Sequence, residues 1–397
     1  MALTPLSEAL ERILATVESQ PDWEMVALEA APNRYCAEVV NATLSVPPAD
    51  NSAMDGYAVA SQDVPGTLVI SQRVPAGHAP LPLVAGTTAR IFTGAEMPSG
   101  ADAVILQEDA VAGEGQVTLP AAQPGQHIRR RGSDIQPGDT LVGAGHRLTP
   151  QDIGLLASVG LDAVPVFRPL NVAVLTTGDE LREPGSGDLH PGQIFNSNRF
   201  SLAAQIRALG MTVIDCGNLP DDPDQIGDAL ERAAAEADCI VTAGGVSVGE
   251  EDHVKSQIEQ RGALDLWKLA IKPGKPLAFG HVAGTPIFGL PGNPVSAFIT
   301  FALVAKPWLI KRQGGHPLPV QRFPVKAAFA LTRPGTREEF LRVRLTGSGE
   351  ALRAALTGSQ SSGVLTSLSE ADGLAVIAPG TAVAEGDWVE VMPLWAL

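Results

Sequence analysis

The sequence predicts a multidomain α/β protein whose centre is an open, mostly parallel sheet with helices on both faces. Three observations carry this. From Pro169 onward, apolar β-branched runs alternate with helical segments: NVAVLTT, a helix from Asn198 to Leu209, MTVIDCG, a helix from Asp222-Pro223 to about Ala237, then DCIVTA. That order is the signature of a parallel sheet covered on both faces. On either side, from Ala58 to about Leu148 and again from Gly315, short apolar runs lie between Gly and Pro, the spacing of β-rich domains. The 397 residues also exceed one ordinary core, so two to four domains are expected.

Composition narrows the function classes. A 45% hydrophobic content is that of a soluble globular protein. Net charge is −16 and the pI about 4.8, which argues against nucleic acid or an anionic membrane as the main partner. Cys36, Cys216 and Cys239 show no CxxC spacing, and two lie in apolar runs, so free thiols in a reducing compartment are expected. Glu8 and Glu11 interrupt the N-terminal stretch where a signal peptide would be apolar. The longest apolar run, Val295 to Ala305, is too short to span a bilayer and ends at Lys306-Pro307. A cytoplasmic location is the resulting expectation.

In chain order, Thr4-Pro5 reads as an N-cap and first helical residue. Leu6, Ala9, Leu10, Ile13, Leu14 and Val17 then recur at helical spacing, a stripe that needs a partner surface from this chain or another copy. Pro47-Pro48 precludes regular helix, and Asp55-Gly56 is a turn. Arg129, Arg130 and Arg131 concentrate charge just before Asp134. Thr149-Pro150 starts another capped helix that stops at Gly160.

The stretch Cys239 to Val254, CIVTAGGVSVGEEDHV, is the pivot of the central domain. A buried strand runs into Gly244-Gly245, which permits a sharp turn with positive φ. Glu250, Glu251 and Asp252 precede a helix from His253 to Arg261. Strand, glycine loop and helix start hold anions on backbone N–H donors. Carboxylates beside such a loop would repel a bare phosphate, and a divalent cation removes the conflict. The loops TTGDELREPGSGDLHPGQIFNSN and GNLPDDPDQ fall at the same ends of neighbouring strands, where open α/β sheets bind ligands.

In LDLWKLAIKPGKP, Leu266, Lys268, Ala270 and Lys272 alternate onto one face of an expected strand, with Lys275 on the turn after Pro273-Gly274. Three lysines on one side form a positive patch suited to an oxyanion. Asn293 and Pro294 read as the cap and first residue of a further helix, with backbone N–H groups at its mouth. In the final β domain, Arg342 and Arg344 share a strand face, a placement usually turned to solvent.

Together these motifs resemble the MoeA family, the molybdopterin molybdenumtransferases, related to the E domain of gephyrin. SAMDGYA, RIFTGAEMPSGADAVI, RRRGSDI, TTGDEL, GQIFNSN, AGGVSVGEED, WKLAIKPGKP and GLPGNPVS follow in the family's order across nearly the whole chain. Ser133 stands where many members carry Glu, and Gly363 where eukaryotic relatives carry Arg.

The resemblance implies four domains. Residues 1–45 with 140–168 would form an elongated N-terminal domain, 46–139 an inserted β-rich domain, 169–314 a MogA-like molybdopterin-binding α/β domain, and 315–397 a β-barrel-like domain. It implies a homodimer in which the insert of one copy faces the pterin domain of the other. It also implies a reaction: adenylylated molybdopterin and molybdate enter, the AMP bond is hydrolysed with Mg²⁺, and molybdenum is left on the dithiolene. Transient partners would be the molybdopterin adenylyltransferase and acceptor molybdoenzymes.

By the same resemblance, the catalytic set would comprise Asp55, Thr93, Asp134, Glu180, Asp252, Lys268, Lys272 and Lys275. Metal ligands would come from Glu180, Asp221, Asp222 and Asp252. Thr242, Gly244, Gly245, Asn196, Asn198, Ser247, Pro291 and Pro294 would cradle the pterin and its phosphate, with Arg342, Ser361 and Ser362 as further contacts. The competing readings are a molybdopterin adenylyltransferase, which resembles the middle domain alone, a non-catalytic gephyrin-like scaffold, and a generic nucleotide-binding α/β protein.

Overall fold

The computed structural model describes residues 3–246 and 253–397. Its centre is a six-stranded sheet in the order Thr212–Leu219, Asn171–Thr177, Cys239–Ala243, Thr285–Leu290, Ala278–Val282, Gly262–Trp267. The first four strands are parallel and the last two are added antiparallel at one edge. Alternation along the strands feeds two cores. Val172, Val174 and Val241 point to one face, and Ala173, Leu175 and Ile240 to the other. Both faces are apolar because helices cover both. Pro223–Glu236 and His253–Arg261 cover one face; Ser197–Ala208 and the helix from Pro294 cover the other.

The apolar run Val295 to Ala305 ends at Lys306-Pro307, but the helix that carries it continues to Arg312. A wider π turn over Phe301–Ala305 precedes Pro307, accommodating a ring that has no N–H to give. This helix is long and apolar enough to cross a membrane, but Val295, Ile299, Phe301, Val304 and Trp308 are buried in the protein's own core. The N-terminal helix starts at Leu6 with Pro5 at the cap position, while Thr4 forms a bridge with Leu269. Its stripe is covered within the same chain, where Leu6, Ala9 and Ile13 join the central core beside Trp308 and Leu309. The helix therefore packs on the central core of its own chain.

Outside the central sheet, Trp23–Ala27 pairs with Ala163–Phe167 and Val40–Asn41 with Thr140–Val142. Helix Pro150–Ser158 closes the core between these strands, starting in a capping box between Thr149 and Asp152. The insert is a six-stranded sheet in the order Ala103–Leu106, Gly56–Val59, Thr87–Ile91, Gly66–Val74, Gln116–Leu119, Val111–Ala112. The C-terminal strands Glu338–Thr346, Arg353–Leu356, Phe323–Ala327, Trp388–Pro393 and Gly373–Ile377 close into a barrel, since the last pairs back with the first. Strand Ile271–Lys272 pairs with Glu338–Glu339 and ties the barrel to the central domain.

Candidate active site

A cleft of about 950 Å³ opens where the parallel strands of the central sheet end. Thr177, Asp221, Ala243 to Val246 and Pro291 to Pro294, all at or just past those carboxyl ends, line it. The position follows from topology, because connections diverge there and leave a crevice. Gly244 (φ +100°) and Gly245 (φ +65°) turn against Thr177 so closely that a Cβ on Gly244 would sit 2.6 Å from the Thr177 carbonyl oxygen. Only glycine satisfies both the left-handed backbone and the contact.

Two helices begin at this cleft. Asn196 caps Ser197–Ala208, its Oδ1 accepting from the Arg199 N–H, while its amide donates to Thr176 Oγ1 at 2.8 Å and Glu183 Oε1 at 3.2 Å. Both amide N–H groups and the carbonyl oxygen are engaged inside the protein, so it positions the loop. Asn198 donates to the Gly292 carbonyl at 2.6 Å and pins the Pro291–Asn293 turn to the neighbouring helix. Asn293 precedes the long helix without a side-chain cap bond, which leaves the positive helix end turned to the cleft.

Charges of both signs line the cleft. Lys272, Lys275 and Arg337 line it with Glu180 and Asp221. Lys272 pairs with Glu339 at 3.1 Å, and Glu339 is 5% exposed against 52% for the lysine. Arg337 is steadied by donation to the Ile271 carbonyl at 2.9 Å. Asp221 exchanges bonds with Asp179: each carboxylate accepts from the other's backbone N–H, at 3.1 and 3.2 Å. The barrel supplies a wall from Gln360 to Gly363.

Across the whole chain, three family models match. One described as the MoeA N-terminal region (domain I and II) covers residues 4–160, one for a probable molybdopterin binding domain covers 173–311, and one for the MoeA C-terminal region (domain IV) covers 324–394. A molybdopterin molybdenumtransferase of Haemophilus influenzae is 42% identical over 321 residues, 78% of either chain. The chain belongs to the MoeA family of molybdopterin molybdenumtransferases. A further relative so named, from Nostoc sp., is 37% identical and spans 96% of this chain and 91% of its own. A crystal structure of a molybdopterin biosynthesis MoeA protein from Pyrococcus horikosii superposes with a TM-score of 0.82 at 35% identity, covering 99% of both chains.

Within this MoeA fold, the cleft gathers Glu180, Asp221, Asn196, Asn198, Gly244, Gly245, Lys272, Lys275, Pro291, Pro294, Ser361 and Ser362. Other expected residues lie elsewhere. Lys268 does not line the cleft; its φ of +76° breaks the chain between Gly262–Trp267 and Ile271–Lys272, so the lysines do not share one strand face. Asp222 is occupied as a helix cap, and the bond from the Gln225 N–H holds its carboxyl below the usual range. Thr242 is fully buried and does not line the cleft; its hydroxyl has no partner among the described residues.

Arg342 does not face solvent. It is 1% exposed and donates to Ser367 Oγ, Ser359 O and Ser361 O, behind the barrel's wall of the cleft. Burial with no carboxylate beside it pulls its guanidinium pKa down. Asp55, Thr93 and Asp134 sit in the insert outside this chain's cleft. The Thr93 N–H and hydroxyl donate to Asp55 Oδ1 at 2.7 and 2.8 Å, and the backbone bond is the main reason the carboxyl lies below its usual range. Ser247 and Asp252, with Glu250 and Glu251, lie outside the described residues.

Sequence reading missed Thr177, Arg337 and Gln360. Thr177 lines the cleft with a hydroxyl that is buried and without a partner among the described residues. Its signal was its place before the glycine of TTGDEL. Nothing in spacing marked Arg337 or Gln360, because the barrel meets the central domain only in the tertiary structure.

Proposed function

We propose that the chain inserts molybdenum from molybdate into adenylylated molybdopterin, with hydrolysis of the adenylyl phosphoanhydride and release of AMP. The observation that carries this reading is one cleft with a cationic wall, two helix N-termini and a carboxylate rim at the ends of the parallel strands. Lys272, Lys275 and Arg337 are suited to the phosphates and to the molybdate dianion, the arginine by forked donation and the lysines as point charges. The Gly244-Gly245 turn lets a phosphate approach the backbone closely.

Water attacks the phosphoanhydride phosphorus, one P–O bond forms and one breaks, and AMP and the pterin phosphate leave. Mg²⁺ fits the donor set: Glu180 and Asp221 line the cleft with hard oxygen donors and would hold it, since this ion takes one or two carboxylates plus substrate phosphates. Among the described residues no group of three or more metal-ligating side chains is present, so the phosphates would complete the shell. When bound, the ion supplies neutralisation of charge on the departing phosphate. Asp252 remains a proposed third carboxylate.

The reading includes a homodimer. Asp55, Thr93 and Asp134 are placed to act on a cleft only if the insert of one copy approaches the central domain of another. It also includes a cytoplasmic setting, with the adenylyltransferase as donor and molybdoenzymes as acceptors. The test is single-turnover release of AMP from adenylylated molybdopterin, with and without molybdate, against Mg²⁺ concentration. Release that depends on molybdate and on Mg²⁺ is expected, falling by roughly 10²-fold in Glu180→Gln. Release at the same rate without molybdate would overturn the reading.

A further inference from the structure

The insert places two arginines side by side. Arg73 of strand Gly66–Val74 and Arg90 of strand Thr87–Ile91 are register partners, and Tyr57 of Gly56–Val59 partners Arg90 on its other side. Residues opposite each other on neighbouring strands share a face, where like charges repel. The ring of Phe92 takes both cations. Its centroid lies 4.5 Å from Arg73 Cζ and 4.6 Å from Arg90 Cζ, and Arg90 also lies 5.1 Å from the Tyr57 centroid. These are cation–π distances.

The two guanidiniums differ in what else they do. Arg90 donates to the Gly56 carbonyl at 2.8 Å and to Gln107 Oε1, so it is committed to the scaffold. Arg73 is exposed, and among the described residues its guanidinium makes no hydrogen bond or ion pair. Stacking fixes it while its N–H edge stays available. The row is built into the strand ends that carry Asp55 and Thr93. Phe92 precedes Thr93, and Gly56, whose carbonyl Arg90 holds, follows Asp55.

We propose that Arg73, presented on Phe92 and backed by Arg90, is a phosphoryl-binding group of the insert that takes the AMP phosphate of the substrate beside Asp55 and Thr93. This deepens the hydrolysis reading above and rests on it. A guanidinium offers two parallel N–H donors that match a phosphate, and one already held by a ring loses little freedom on binding. The cost of two facing arginines is then offset in the bound state by the anion.

The test is calorimetric titration of the full chain with AMP and with inorganic phosphate, for wild type, Arg73→Ala and Arg73→Lys. Arg73→Ala is expected to weaken AMP about tenfold or more, the loss of a charge-assisted hydrogen bond, with an unchanged melting temperature. Lysine is expected to recover part of the affinity, because it keeps the charge but not the fork. Equal weakening of AMP and phosphate assigns the contact to the phosphoryl group; greater weakening of AMP adds a contact to the nucleoside, and both support the proposal. Unchanged affinity for both ligands overturns it. So does loss of self-association in Arg73→Ala with affinity retained, which reassigns the arginine to a protein contact. A wild type that binds AMP through Arg73 but releases none from the adenylylated substrate would fail the reaction reading alone.

Discussion

Lys272→Met separates the two roles that converge on the cleft's cationic wall. As an exposed lysine it would cost no more than about 0.5 kcal/mol, the usual range for surface substitutions. In the structure its ammonium lies 3.1 Å from Glu339 Oε2, and that carboxylate is 5% exposed. Removing one partner of a fully buried pair costs about 3–5 kcal/mol, because the remaining charge is left without compensation. Lys272 is 52% exposed, so water reaches one side of this pair and screens it. A loss of about 1–3 kcal/mol is therefore expected for Lys272→Met, and a larger one for Lys272→Glu, which sets two carboxylates against each other. Adding Glu339→Gln to Lys272→Met removes the orphaned charge and should restore most of the stability, but none of the oxyanion affinity. Urea unfolding gives the first quantity and calorimetric titration with molybdate the second. If Lys272→Met unfolds within 0.5 kcal/mol of wild type, by the roughly ±0.5 kcal/mol scatter of neutral surface changes, the pair is not an energetic one. If molybdate affinity survives, the wall is not the anion site.

Three further outcomes follow from the packing. Ile13→Ala, at a side chain 1% exposed against the central core, should cost about 2–5 kcal/mol without changing the oligomeric state measured by sedimentation. Arg342→Met should raise the KM for the pterin substrate while leaving the barrel folded by circular dichroism, since Arg342 holds the carbonyls of Ser359 and Ser361 behind the cleft wall. Asp215 is held below its ordinary value of 3.8 chiefly by the Arg199 guanidinium, at 2.7 and 2.9 Å. A lowered folded pKa contributes stability above the unfolded value and loses it as pH falls through the folded one. Asp215→Asn should thus be less stable than wild type at pH 7, with the gap closing below about pH 3.8 in urea unfolding.

What the sequence by itself determined is whatever local chemistry decides. The alternating β and α elements of the central domain, the Thr149 and Asp222 caps and the Gly244-Gly245 turn were legible because each depends on residues a few positions apart. The same holds for the loops carrying Glu180, Asp221 and Gly244, since parallel topology sends the carboxyl ends of neighbouring strands to one edge. The resemblance supplied Asp55, Thr93 and Asp134, which spacing alone does not single out. Tertiary structure decided the rest, and each case turns on a partner distant in sequence. The N-terminal stripe read as needing a surface, but only packing showed that surface to be Trp308 and Leu309. Arg342 and Arg344 sit on the same expected strand face, yet one is buried behind the cleft and the other exposed, because the 359–361 loop folds over only the first. The three lysines read as one patch until the backbone turned at Lys268 and the short strand after it joined the barrel sheet. A period-2 pattern tells which side of a strand a residue takes; it carries no information about where the strand breaks or which sheet it joins.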